Sequence, residues 1–110
     1  MANYYDSGDL KKFGQIAEFG EDAAKKFFDY YGETLKDGAL TAREKSLIAL
    51  GVAHAIQCPY CIDAFASDNL EKGSTPEQMM EAVHVAAAIR GGAALVHGVQ
   101  MMNKVKKLSM

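Results

Sequence analysis

Every stretch of this 110-residue chain long enough to read carries apolar residues at helical spacing, and none alternates as a strand does. The prolines obey the same rule. Pro59 and Pro76 both stand where a helix would begin, the one place where a missing backbone N–H costs nothing. A chain patterned this way is confined to an all-α fold. Its length makes residues 1–110 one domain.

The punctuation predicts five to six helices. A short one is expected near 8–18, capped by Ser7 and stopped at Phe19-Gly20. A second fits 21–36, with Phe27, Phe28, Tyr31 and Leu35 on one side and Asp37-Gly38 at its end. Thr41-Ala42-Arg43-Glu44 has the spacing of a capping box and starts a third at Ala42. The apolar face of that helix is Leu47, Ile48, Gly51, Val52 and Ala55, and it should end or kink just before Pro59. The fourth runs from Pro59 to about Glu71, where Gly73 stops it. Thr75-Pro76-Glu77-Gln78 opens the fifth, which runs through Met79, Val83, Ala86 and Ala87 towards Gly91-Gly92. Ala93 to about Lys106 is either a separate helix or a kinked continuation. Gly91, Gly92, Ala93, Ala94 and Gly98 permit two helices to approach closely, within the chain or between subunits.

Composition narrows the partners. The hydrophobic share of 49% is ample for a core, although so short a chain has little core of its own. Net charge is −2 with mixed signs, so neither nucleic acid nor a membrane surface is an expected partner. Lys104, Lys106 and Lys107 read as the cationic last turn of a helix. The first residues lack a signal-peptide pattern. The apolar runs are cut by His54 and Arg90, so no membrane span is expected and the cytoplasm is the expected compartment. There a cysteine pair is more often catalytic or metal-binding than a structural staple.

That pair is Cys58-Pro59-Tyr60-Cys61. Pro59 at the first helical position puts Cys58 at the N-cap and Cys61 in the first turn. Unpaired backbone N–H groups and the positive end of the helix dipole there favour thiolate over thiol. Thiolates attack peroxides and disulfides, and two thiols at this spacing close a disulfide with little backbone movement. A zinc site lacks a second paired motif. No metal or organic cofactor is expected.

A cysteine peroxidase also needs groups that move protons. His54 lies four residues before Cys58 and shares its face if the helix continues or only kinks between them. Its alternative role is a buried histidine bonded to backbone. Glu44 is the third residue of the Thr41 box, which is the simpler account of it. It reaches the thiols only if the chain folds back or a neighbouring subunit supplies it. His84 reads as packing, and His97 as lining an interface.

The residues from Leu40-Thr41-Ala42-Arg43-Glu44 to Leu50, then Cys58-Pro59-Tyr60-Cys61-Ile62-Asp63-Ala64, then Gly73-Ser74-Thr75-Pro76-Glu77-Gln78, together resemble the carboxymuconolactone decarboxylase-like superfamily in its alkylhydroperoxidase D branch. Tyr4-Tyr5, Leu10-Lys11-Lys12-Phe13-Gly14 and the run from Ala82 to Gly92 are similar to a narrower group, the arsenosugar biosynthesis-associated peroxidase-like proteins. The resemblance implies an alkylhydroperoxidase-type helical bundle subunit assembling into homo-trimers or hexamers. It implies a peroxidase that reduces a small peroxide at a CxxC pair and is recharged by an external dithiol. It also implies a glutamate and a histidine as proton relay. Carried over, Cys61 meets the peroxide and Cys58 resolves; the opposite assignment stays open because His54 neighbours Cys58.

Two positions depart from the branch. The histidine usual four residues after the second cysteine is Phe65, and the glutamate usual twelve residues before the first is Ser46. His54 precedes the pair by as many residues as the missing histidine would follow it, and Glu44 lies two residues before Ser46. Both read as a relocated relay. The candidate catalytic residues are therefore Cys61, Cys58, His54 and Glu44. The rival reading is a binder or relay of trivalent arsenic, a soft acceptor suited to vicinal thiolates, without peroxide turnover.

Overall fold

Residues 6–109 are described by the structure, a computed structural model; Tyr4-Tyr5 lies outside them. The order is a 3₁₀ helix η1 (Ser7–Phe19), then α1 (Glu21–Leu35), α2 (Ala42–Ala55), α3 (Pro59–Glu71) and α4 (Pro76–Ser109). No strand occurs among the described residues, so the all-α expectation holds.

The caps explain the boundaries. Asp6, and not Ser7, caps η1: its carboxylate accepts the Gly8 N–H at 2.9 Å. The Thr41 box forms in full, Glu44 N–H to Thr41 Oγ1 at 3.1 Å and Thr41 N–H to the Glu44 carboxylate at 2.8 Å. The Thr75 box closes in the same way on Gln78, at 3.1 and 2.9 Å. Gly73 ends α3 with φ +86°, a left-handed conformation that favours glycine, and Ser74 N–H returns to the Asn69 carbonyl at 2.9 Å.

Helix α2 is the centre of the fold, packed against α3 on one side and the first part of α4 on the other, while α1 lies on η1. Gly51 makes the α2–α4 contact possible: a Cβ there would stand 3.2 Å from the Ala82 carbonyl oxygen. Arg90 interrupts an apolar run in the sequence, yet in the fold its guanidinium donates to the Ala55 carbonyl and covers the C-terminal end of α2. Beneath α2 and α3, Asn69 is fully buried and its amide donates to the carbonyls of Ser46 and Phe65 at 3.0 and 2.8 Å. Its carbonyl accepts the Ser74 hydroxyl at 2.8 Å.

Gly91-Gly92 does not break α4, which continues as one helix through to Ser109. Cβ atoms at Gly91, Gly92 and Gly98 would meet open space, so packing within the chain does not account for these small residues. From residue 91 to 109 every residue but Gly98 is exposed. The helix carries an 18-residue window of mean hydropathy 1.3, long and apolar enough for a bilayer crossing. The charge at Arg90 therefore does not by itself exclude a span.

Candidate functional site

The site begins where α2 fails to continue. Ile56 closes the last turn of α2, and Gln57 then takes φ 57°, a left-handed conformation uncommon for a side chain of its size. Cys58 N–H returns to the Ala53 carbonyl at 3.0 Å, and Pro59 starts α3 in a new direction. His54 and Cys58 are thus on different elements, and the expectation of one shared helical face lapses.

Both cysteines are free and partly buried. Cys58 is the N-cap of α3, as Pro59 predicts, and its Sγ accepts the Cys61 N–H at 3.3 Å. Burial pushes the Cys61 thiol up to about 11, helped by its hydrogen bond to the Cys58 sulfur and by the negative charge there. The Cys58 sulfur faces that amide donor at the positive end of the helix.

The two thiols open on a cleft of about 650 Å³ whose far wall is η1, through Leu10, Phe13 and Ile16. Tyr60, between the cysteines, ties this wall down: its hydroxyl donates to the Asp9 carboxylate at 3.0 Å. A second, apolar cleft of about 370 Å³ also reaches Cys61, past Ile48, Val52 and Phe65. A third, of about 250 Å³, is lined by Ser46, Phe65, Asp68 and Lys72. Tyr31 lines all three.

His54 is half-buried, and its Nδ1–H donates to the Leu50 carbonyl at 2.9 Å, because a carbonyl can only accept. That leaves Nε2 as the basic nitrogen of the neutral ring. His54 lines none of the three clefts. Glu44 is exposed in the first turn of α2, roughly 16 Å along the helix from its far end at 1.5 Å per residue. Its carboxyl is held below the usual range, chiefly by the Thr41 N–H and then by the Thr41 hydroxyl. Within one chain the structure does not bring Glu44 to the thiols.

Two groups lining these clefts escaped the sequence reading. Asp68 accepts the Ser46 hydroxyl at 2.6 Å and pairs with Lys72. Burial opposes its charge, but the bonds from Lys72 and Ser46 outweigh that and hold its carboxyl below the ordinary value. The second is Tyr31, read only as part of an apolar side. Burial, then the negative charges of Cys61, Asp68 and Cys58, raise its phenol above the usual value. Asp68 carried one signal: it follows Cys61 by seven residues, two helical turns, and so shares its face. Among the described residues no three His, Cys, Asp or Glu side chains form a metal cluster.

Known proteins share this arrangement of helices. The carboxymuconolactone decarboxylase family matches residues 21–104. A protein of Paracoccus denitrificans, described as uncharacterized protein 4 in the cox locus, is 42% identical over 84 residues, 76% of each chain. A crystal structure from Methanobacterium thermoautotrophicum is similar with a TM-score of 0.75 at 32% identity, covering 78% of this chain and 97% of that one. The apo crystal structure of a carboxymuconolactone decarboxylase family protein from Legionella pneumophila has a TM-score of 0.59, covering 93% of this chain and 98% of that one. At 24% identity that last likeness speaks for the fold alone. These likenesses reach the family; they do not reach the narrower arsenosugar-associated group.

Proposed function

The chain belongs to the carboxymuconolactone decarboxylase family, and from that footing we propose that it is a thiol peroxidase or disulfide oxidoreductase of alkylhydroperoxidase D type. The observation that carries this is a free dithiol at a helix N-terminus: Cys58 Sγ accepts an amide N–H, while burial raises the Cys61 thiol. One sulfur is prepared to attack and its neighbour to follow.

In the proposed cycle the Cys58 thiolate attacks the terminal oxygen of a hydroperoxide. The O–O bond breaks, Cys58 becomes a sulfenic acid, and the leaving alkoxide or hydroxide takes up a proton. Cys61 then loses its proton and attacks the sulfenic sulfur, closing the Cys58–Cys61 disulfide and releasing water. An external dithiol returns both thiols. His54 is proposed to take up a proton through Nε2, directly or by way of water. Glu44 enters only from a neighbouring subunit of a homo-trimer or hexamer. The resemblance gives the attack to Cys61; the amide donor at the Cys58 sulfur and the burial of the Cys61 thiol favour Cys58.

The test is intact mass and free-thiol count on reduced protein after one equivalent of hydrogen peroxide. Rapid loss of two hydrogens and both thiols, slowed in His54→Ala, is expected. Cys61→Ser should trap a sulfenic acid on Cys58, and Cys58→Ser should not react. The reverse pattern returns the attack to Cys61. Thiols that survive for hours in the unaltered protein sink the peroxidase reading and turn the question to soft-ligand binding.

A further inference from the structure

The leaving oxygen of a hydroperoxide needs a proton at the moment the O–O bond breaks, and within the chain neither member of the expected relay lines the two clefts that reach the thiols. Glu44 is bound into its capping box and His54 lines none of the clefts at the thiols. We propose that Tyr31 is the general acid of this site, donating its phenolic proton to the leaving oxygen when the thiolate opens the peroxide. This rests on the peroxidase reading above and deepens it.

The placement is the argument. Tyr31 comes from α1 and lines the cleft that contains both sulfurs, as well as the second cleft that reaches Cys61. Its ring is held on Phe27, with centroids 5.7 Å apart. Asp68 lines the third cleft with it, and its carboxylate is held there by Ser46 and Lys72. A fixed negative charge on that side and a thiolate on the other both oppose loss of the phenol's proton. Tyr31 therefore stays protonated while the thiolate is present, which is the state an acid must be in. The balance is simple: the S–O bond forms, the O–O bond breaks, and the electron pair left on the departing oxygen takes the phenol's proton. Water then reprotonates the tyrosinate. The other hydroxyl in the cleft, that of Tyr60, donates to Asp9. The competing acid is the ammonium of Lys12, which lines the same cleft.

The experiment compares leaving groups. Single-turnover oxidation of reduced protein is followed by stopped flow with tert-butyl hydroperoxide, whose alkoxide needs a proton, and with peracetic acid, whose carboxylate does not. Tyr31→Phe keeps the ring on Phe27. It should slow tert-butyl hydroperoxide about a hundredfold and leave peracetic acid within about twofold. An equal loss with both oxidants, or no loss with either, overturns the assignment. So does a peracid-sparing loss in Lys12→Met with Tyr31→Phe unaffected. Unaltered protein inert to both oxidants overturns the peroxidase reading and this inference with it, whereas turnover by unaltered protein isolates the fate of Tyr31.

Discussion

Asp68 is where the chemistry of single residues reaches stability. Its folded carboxyl lies below the ordinary value, so its contribution is fully present above the unfolded pKa of about 3.9 and is lost as pH falls through the folded one. Asp68→Asn should lower unfolding free energy near neutral pH by about 1–2 kcal/mol, since it weakens the partner of the fully buried Ser46 hydroxyl. Urea unfolding at neutral pH should show the gap, and the same titration should show it closing as pH falls through the folded carboxyl's lowered pKa. A gap that persists in acid would mean the loss is one of shape and not of charge. At this scale the sequence was readable where the backbone dictates the answer: Pro59 sets the helix start, and with it the position of Cys58. It was unreadable where a partner arrives from another helix, as Ser46 does at Asp68. An aspartate on a helix defaults to a solvated face until something shows what stands opposite.

At the scale of elements, local signals were sufficient for α1 to α3, because caps, glycines and prolines are chemistry within a few residues. The hydrogen-bond register of η1 was not legible. A helix of either pitch places apolar residues every three or four positions, and only the bonds distinguish them. The unity of α4 was also out of reach, since two adjacent glycines cost a helix about 1–2 kcal/mol without forbidding it. The glycines now make a paired prediction. Gly51→Ala forces a methyl against the Ala82 carbonyl and should destabilise by about 1–3 kcal/mol in thermal or urea unfolding. Gly92→Ala meets open space within the chain and should stabilise an isolated subunit by about 0.5–1 kcal/mol. If Gly92→Ala instead weakens self-association, the small residues are a contact surface between chains.

The molecule as a whole is larger than its mass warrants. A free-standing protein of 11.9 kDa exposes about 5,900 Å², and this chain exposes 8590 Å². Its radius of gyration is 18.9 Å, where about 13 Å is usual for its length. A hydrophobic share of 49% is ample for a core on paper, yet the buried apolar residues among those described are Ala24, Leu50, Ala53 and Ala86. Leu95 is 79% exposed and Leu108 74% exposed. That surplus of surface exceeds the area that a stable protein interface buries. A self-assembled particle is therefore expected, and light scattering should give several times 11.9 kDa. Leu95→Glu with Val99→Glu should shift it towards single chains. A protein that stays monomeric in buffer but sediments with lipid vesicles would assign the stripe to a bilayer. On the proposed assembly, the unsupported half of α4 brings mass action into the stability of every chain. Its thermal midpoint becomes a function of how much protein is present, and dilution alone acts as a denaturant.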